Sequence, residues 1–251
     1  MYFSYDHLHF RYEPFPIGLA KPLMEPSLYR EFIAEYPPLD LFDFLPRLGK
    51  KYSLSEKNKP ANYHDFIRHN RVWREFHRWI KSEAFVAEAL QALRSRDLDL
   101  DYRGRVSVRK RLRQAARNLR EGRFDWGPGD LSGRFEFSML PADGGSVLPH
   151  SDSPGKIVTM VVSIVGDGEW NPAFGGGTDV NRHKIVEKNF NFANRRGDFA
   201  DMDVVDTFEF TPNQAVIFIK TFNSWHSVRP MTGTGSTAMR RTLTIVIERE
   251  T

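Results

Sequence analysis

The chain has 251 residues, 36 lysines and arginines against 32 aspartates and glutamates, and no cysteine. This length fits one large domain, and the missing thiols exclude disulfides, thiolate metal sites and a cysteine nucleophile. No stretch is long and apolar enough to span a bilayer, and the opening "MYFSYDHLHFRYEPF" lacks the basic start and apolar core of a signal peptide, so a cytoplasmic setting is expected.

The first half reads as helical. In "EPSLYREFIAEYP", Pro26 suits a first helical turn, and Leu28, Phe32, Ile33 and Tyr36 fall on one face. "YHDFIRHNRVWREFHRWI" continues the period with Phe66, Trp73, Phe76 and Ile80, and "SEAFVAEALQALRS" with Val86, Ala89, Leu90 and Leu93. The polar stretch "RLGKKYSLSEKNKPAN" between them reads as a loop. The basic run from Tyr102 to Phe124 reads either as a solvated helix face or as a patch for an anionic ligand. No nucleic-acid motif accompanies it, so nucleic acid is not the expected partner.

The second half changes period. "RFEFSML", "KIVTMVVSIV", "AVIFIK" and "RRTLTIVIE" read as strands, separated by "PADGG", "GDGEW", "FGGGTD", "TPNQ" and "MTGTGS". Such short strands predict a sandwich or barrel. The expected organisation is one α+β domain over 1–251. Residues 1–125 are its mainly helical supporting part, and 126–251 form the β core.

His150 and Asp152 stand two residues apart just before a strand, on one face if the chain is extended. His226, in "FNSWHSVRP", follows another strand. The remaining histidines, His7, His9, His64, His69, His77 and His183, read as structural or exposed. Two imidazoles and one carboxylate make the facial triad that suits non-heme Fe(II), leaving open positions on the metal. The candidate metal ligands are therefore His150, Asp152 and His226.

In order and strand context these residues resemble the Fe(II)/2-oxoglutarate-dependent oxygenases, specifically their prolyl-hydroxylase-like branch. The resemblance runs from about Phe135 to Glu248: Gly144–Gly145, His150–Ser151–Asp152, the apolar run Ile157–Val165, Trp170, Gly176–Gly177–Thr178–Asp179, His226–Ser227–Val228, then a basic residue opening the last strand. It implies a double-stranded β-helix (jelly roll), with Fe(II) as metal and 2-oxoglutarate as cosubstrate. The implied reaction hydroxylates a C–H bond and releases succinate and carbon dioxide.

It also implies a cationic residue that grips the distal carboxylate of 2-oxoglutarate. Arg240 and Arg241 point to opposite faces of a strand, and Arg240 is favoured because Thr242 supplies a hydroxyl on the same face. A tyrosine that often assists from an earlier strand is replaced here by Leu140, and the "MTGTGSTA" connection before Arg240 is longer than the family's usual one.

Asp152 argues against a halogenase, and Val246, six residues after Arg240, argues against the nucleic-acid demethylases, which carry a second arginine there. The alternatives are a jelly-roll binding module and a cupin-type metal enzyme that needs no 2-oxoglutarate. The "FGGGTD" stretch reads as a tight turn, Trp170 and Trp225 as packing, and Asn181 to Asp206 as a surface insertion or a lid. That insertion and Met231 to Ala238 are expected to border the site mouth. The substrate is expected to be a small molecule or a peptide; its identity and the oligomeric state are not written in the sequence.

Overall fold

The computed structural model describes residues 2–100, 116 and 131–249. The basic run 102–124 thus lies, apart from Ala116, outside the described residues. The N-terminal part supplies strands β1 (Leu8–Arg11), β2 (Ile17–Ala20), β3 (Asp43–Leu45) and β4 (Lys51–Ser55), and helices α1 (Pro26–Ala34), α2 (Pro60–His69), α3 (Arg71–Ile80) and α4 (Glu83–Arg94). The C-terminal part supplies β5 (Leu131–Pro141), β6 (Val147–His150), β7 (Lys156–Ser163), β8 (Thr178–His183), β9 (Met202–Phe208), β10 (Ala215–Ile219), β11 (His226–Val228) and β12 (Met239–Arg249).

An eight-stranded sheet runs β1-β2-β10-β7-β12-β5-β4-β3, and a four-stranded sheet runs β6-β11-β8-β9. The eight C-terminal strands divide four and four between the two sheets, alternating except for the β8–β9 hairpin, and make an antiparallel α+β jelly roll. The N-terminal part is less purely helical than its pattern suggests. β1 and β2 lengthen the large sheet at one edge and β3 and β4 at the other. β4 falls inside the stretch read as a loop; its pairing with β5 turns Leu54 into the apolar core and Ser53 to the opposite face. The long helical pattern after Tyr63 is also two helices. Asn70 takes an extended conformation, and its side chain accepts from the Trp73 N–H to cap α3.

The helices brace the outer face of the large sheet. Trp73, Phe76 and Phe85 are fully buried with Phe135 and Phe137 of β5, each such side chain contributing roughly 1.5–3 kcal/mol by leaving water. Gly133 permits this approach, because a Cβ there would sit 2.2 Å from the Ile80 carbonyl oxygen. On the inner face of β12, Arg240, Thr242, Thr244 and Val246 point between the sheets, while Leu243, Ile245 and Ile247 join the helix-side core.

The barrel has two distinct ends. His226 pairs with His150, and Val228 with Val147. The connections 151–155, 184–201 and 220–225 therefore lie at the end bearing these histidines, and 142–146, 164–177, 209–214 and 229–238 at the other. A small core of Leu140, Trp170, Phe210, Val228 and Met231 closes that second end. Residues 231–238 accordingly sit away from the histidines and not at their mouth; of the stretch Asn181 to Asp206, the two ends belong to β8 and β9, and only 184–201 is an insertion, which lies beside the histidines.

Candidate metal centre

His150 ends β6 and His226 opens β11, so cross-strand pairing brings the imidazoles together, with ring centroids 4.2 Å apart. Asp152 reaches them by a turn and not by strand alternation, since it has left β6 and adopts a left-handed φ of 67°. One ligand atom from each of His150, Asp152 and His226 lies within 4.8 Å of the others, and Asp152 Oδ1 is 3.6 Å from His150 Nε2.

The donor set fits a divalent metal ion. His150 Nδ1 donates to the Leu148 carbonyl and His226 Nδ1 to the Ser224 carbonyl, both at 2.9 Å and both two residues back. A carbonyl only accepts, so each Nδ1 carries the proton and each Nε2 offers its lone pair. Thr159 Oγ1 donates to Asp152 Oδ2 at 2.8 Å, which fixes the carboxylate plane. Burial of His226, then the neighbouring His150, lowers its pKa to about 3, so the ring stays neutral as a metal ligand requires. Burial opposes the charged form of Asp152, yet His150 and Lys156 together hold its carboxyl well below the usual range.

The loop between the histidine and the carboxylate is tied to its surroundings. Ser151 Oγ donates to the Asn191 carbonyl at 2.9 Å, Ser224 Oγ donates to the Ser151 carbonyl at 3.2 Å, and Gly197 N–H donates to the Pro149 carbonyl at 2.9 Å. The insertion 184–201 thus packs directly on the metal-ligand loop.

Thr159 pairs with Val246 of β12. On the same strand face, Thr242 lies four residues and Arg240 six residues further from the triad. Arg240 is 4 % exposed; its Nε donates to the Gly176 carbonyl at 2.5 Å, and its guanidinium lies 4.6 Å from the centroid of Phe210. Burial pulls its pKa down to about 10, which leaves it charged at neutral pH. Among the described residues no carboxylate pairs with it. Arg241 points to the other face, where it pairs with Glu169 and lies over Tyr36.

Leu140 pairs directly with Arg240 and offers no hydroxyl, but Ser138 and Ser163 flank Thr242 on the two neighbouring strands, and all three are buried. Thr242 Oγ1 donates to the Ser138 carbonyl at 3.4 Å.

Sequence reasoning missed several neighbours. Lys156 Nζ lies 2.5 Å from Asp152 Oδ1, and Thr159 holds the other oxygen. The signal for Thr159 was its place, with Ser163, as a polar residue on one face of the apolar run "KIVTMVVSIV". His183 is not in a loop: it ends β8, is buried, and its Nδ1 accepts from the Ile185 N–H. His9 also lies in a strand, β1, so strand context alone does not single out the triad. The FGGGTD stretch is a turn, with Gly175 and Gly176 both at positive φ. Trp170 and Trp225 are packing residues, 6 % and 3 % exposed.

Fold and site define a double-stranded β-helix with two imidazoles and one carboxylate converging at its open end. No family model and no curated protein matches the sequence. Solved structures share its fold. One is a prolyl-4-hydroxylase from Pseudomonas putida, with 14% identity, 93% of this chain and 92% of that chain covered, and a TM-score of 0.50. Another is the epimerase SnoN in complex with Fe3+, α-ketoglutarate and nogalamycin RO, with 11% identity, 93% and 78% coverage, and a TM-score of 0.51.

Proposed function

We propose that the protein is an Fe(II)- and 2-oxoglutarate-dependent dioxygenase that hydroxylates a C–H bond of a small-molecule or peptide substrate. The observation that carries this reading is the triad: two imidazoles presenting Nε2 and a carboxylate clamped by Thr159, at the open end of the barrel. His150, Asp152 and His226 would hold the metal. The buried Arg240, with which no described carboxylate pairs, would grip the distal carboxylate of 2-oxoglutarate, with Thr242 adding a hydroxyl contact. Both cited neighbours support the fold, and the second is described with Fe3+ and α-ketoglutarate.

Bound iron supplies oxygen activation coupled to oxidative decarboxylation of 2-oxoglutarate to succinate and carbon dioxide. The protein's own part is positional. The two carbonyl-pinned Nδ1 atoms keep both rings in the ligating tautomer, and Thr159 holds the Asp152 carboxylate beside them. The apolar plug of Leu140, Trp170, Phe210 and Met231 shields the Arg240 end from water, which strengthens any charge pair formed there.

A cytoplasmic setting belongs to the same proposal. The structure adds only that, among the described residues, no helix is long and apolar enough to cross a membrane; imaging of a tagged chain checks the setting.

The test of the proposed activity is aerobic conversion of 2-oxoglutarate to succinate with Fe(II), in the presence of candidate prime substrates. Asp152→Ala should abolish turnover and weaken Mn(II) binding by more than about 100-fold, beyond the 10- to 100-fold typical of outer-shell changes, with circular dichroism unchanged. Full metal binding by Asp152→Ala would refute the assignment.

A further inference from the structure

We infer that Lys156 and Lys220 form a cationic seat at the barrel mouth for an anionic group of the prime substrate, a carboxylate or a phosphate. This rests on the proposed metal centre and adds to it the chemical class of the substrate.

Asp152 has one oxygen for structure and one for a cation. Oδ2 is taken by the Thr159 hydroxyl. Oδ1 faces His150 Nε2 at 3.6 Å and also holds the Lys156 ammonium at 2.5 Å. A divalent ion held by both imidazoles needs that same oxygen. Two cations at one carboxylate oxygen repel, and the doubly charged, doubly imidazole-bound one prevails. Lys156 then gives up Oδ1, and among the described residues no other carboxylate lies within ion-pair distance of its Nζ. Its stem starts at the first residue of β7, so the freed ammonium stays at the mouth.

Lys220 stands beside it. It directly follows β10, and its N–H donates to the Ile157 carbonyl, the residue after Lys156. Its Nζ donates to Ser151 Oγ at 3.3 Å and to the Thr221 carbonyl at 2.8 Å, and no described carboxylate pairs with it. Two ammonium groups on adjacent strand ends therefore flank the residue between the two metal ligands of the HxD pair. Once the ion claims Asp152, no described carboxylate is in ion-pair contact with either ammonium, and Glu136 and Glu248, which act on Lys156 from further off, are already paired with Lys51 and Arg134. An anionic substrate group meets that need and orients the rest of the substrate over the metal.

The experiment uses the full chain loaded with redox-inert Mn(II) and 2-oxoglutarate, each binding step measured first by calorimetry. Inorganic phosphate and [13C]acetate are the probes, read by the paramagnetic broadening that bound Mn(II) imposes on their 31P and 13C lines. Wild type should broaden one or both saturably. Lys156→Met and Lys220→Met should each weaken the effect at least three-fold, and Lys220→Arg should retain most of it. Saturation by acetate marks a seat that takes a carboxylate; saturation by phosphate alone marks one that needs the dianion.

In parallel, Lys156→Met should bind Mn(II) several-fold tighter, because no ammonium has to leave. Circular dichroism checks each variant, and Lys220→Met carries the test if Lys156→Met does not fold. Equal broadening in wild type and variants, or weaker Mn(II) binding by a folded Lys156→Met, overturns the seat while leaving the oxygenase reading intact. Failure of wild type to bind Mn(II) or 2-oxoglutarate refutes the oxygenase reading, and the seat falls with it.

Discussion

The hydroxyl of Tyr36 lies 3.0 Å from the carbonyl oxygen of Thr242 and 3.1 Å from that of Ser138. A single phenol just past α1 thus spans β5 and β12 at the level of the residue proposed to touch the cosubstrate. Tyr36→Phe leaves two buried carbonyls without that donor, at a cost of roughly 1–3 kcal/mol. For a domain of this size that corresponds to a fall in Tm on the order of 2–10 °C. Calorimetry should also show 2-oxoglutarate bound a few-fold more weakly and Mn(II) bound as before. A loss of metal affinity would mean that the brace serves the triad instead.

Arg240 and Arg241 are adjacent in sequence and opposite in environment. Arg240→Ala should weaken 2-oxoglutarate binding by roughly ten-fold or more, since charge-assisted contacts are worth about 1.5–3 kcal/mol. Arg240→Lys should recover only part, because an ammonium lacks the planar fork. Arg241→Ala should leave affinity nearly unchanged, as it removes an exterior pair with Glu169. Titration of 2-oxoglutarate into the Mn(II) protein decides; a reversed ranking would place the grip on the other residue.

The bond from Ser151 to the Asn191 carbonyl couples the metal-ligand loop to the 184–201 insertion. Ser151→Ala should speed amide exchange in 184–201 and blunt the protection that metal and cosubstrate confer there. Mass-spectrometric exchange, with and without Mn(II) and 2-oxoglutarate, measures this. Identical protection in variant and wild type would deny the insertion any role in sensing the site.

Glu56 gives an acid-stability test remote from the metal. Its contacts with His77 at 3.3 Å and Lys81 at 2.9 Å, the first being the larger cause, lower its pKa to about 2. The folded value lies below the unfolded one, so the stabilisation is fully present above about pH 4.5 and fades as pH falls towards 2. The group is partly exposed, so the contribution is about 1 kcal/mol or less after solvent screening. In urea titrations Glu56→Gln should be less stable than wild type at pH 7 and converge with it near pH 2.5. A constant difference across that range would assign the effect to packing.

The large-sheet strands β5, β7, β10 and β12 were legible because their apolar runs are bounded by glycine and proline turns, whereas β6, β8, β9 and β11 of the small sheet, short or polar, were not. The opposite facing of Arg240 and Arg241 was legible because strand parity is strict once the strand is recognised. The N-terminal strands were not. β1 and β2 have four residues each, and β4 carries Lys51, Ser53 and Ser55 on a polar face, so its alternation is hard to tell from a loop. The break at Asn70 was hidden because the apolar period continues across it. The HxD pair was placed together for the wrong geometric reason: alternation would put Asp152 beside His150 in an extended strand, whereas a left-handed residue turns it there. Lys156 gave no signal, because its contact depends on the path of that turn.

The opposed ends of the barrel have an evolutionary consequence. The grip proposed for the cosubstrate is built from strand positions and the plugged end, whereas the connections 151–155, 184–201 and 220–225 all gather at the other. Of these, 151–155 carries Asp152 and 220–225 carries Ser224, whose carbonyl pins His226, so it is the 184–201 insertion that is free to change in length and chemistry without disturbing the triad, Arg240 or Thr242. A lineage can thus vary its substrates by rewriting that insertion, and a chimaera that grafts a foreign loop between β8 and β9 keeps His150, Asp152, His226 and Arg240 in place.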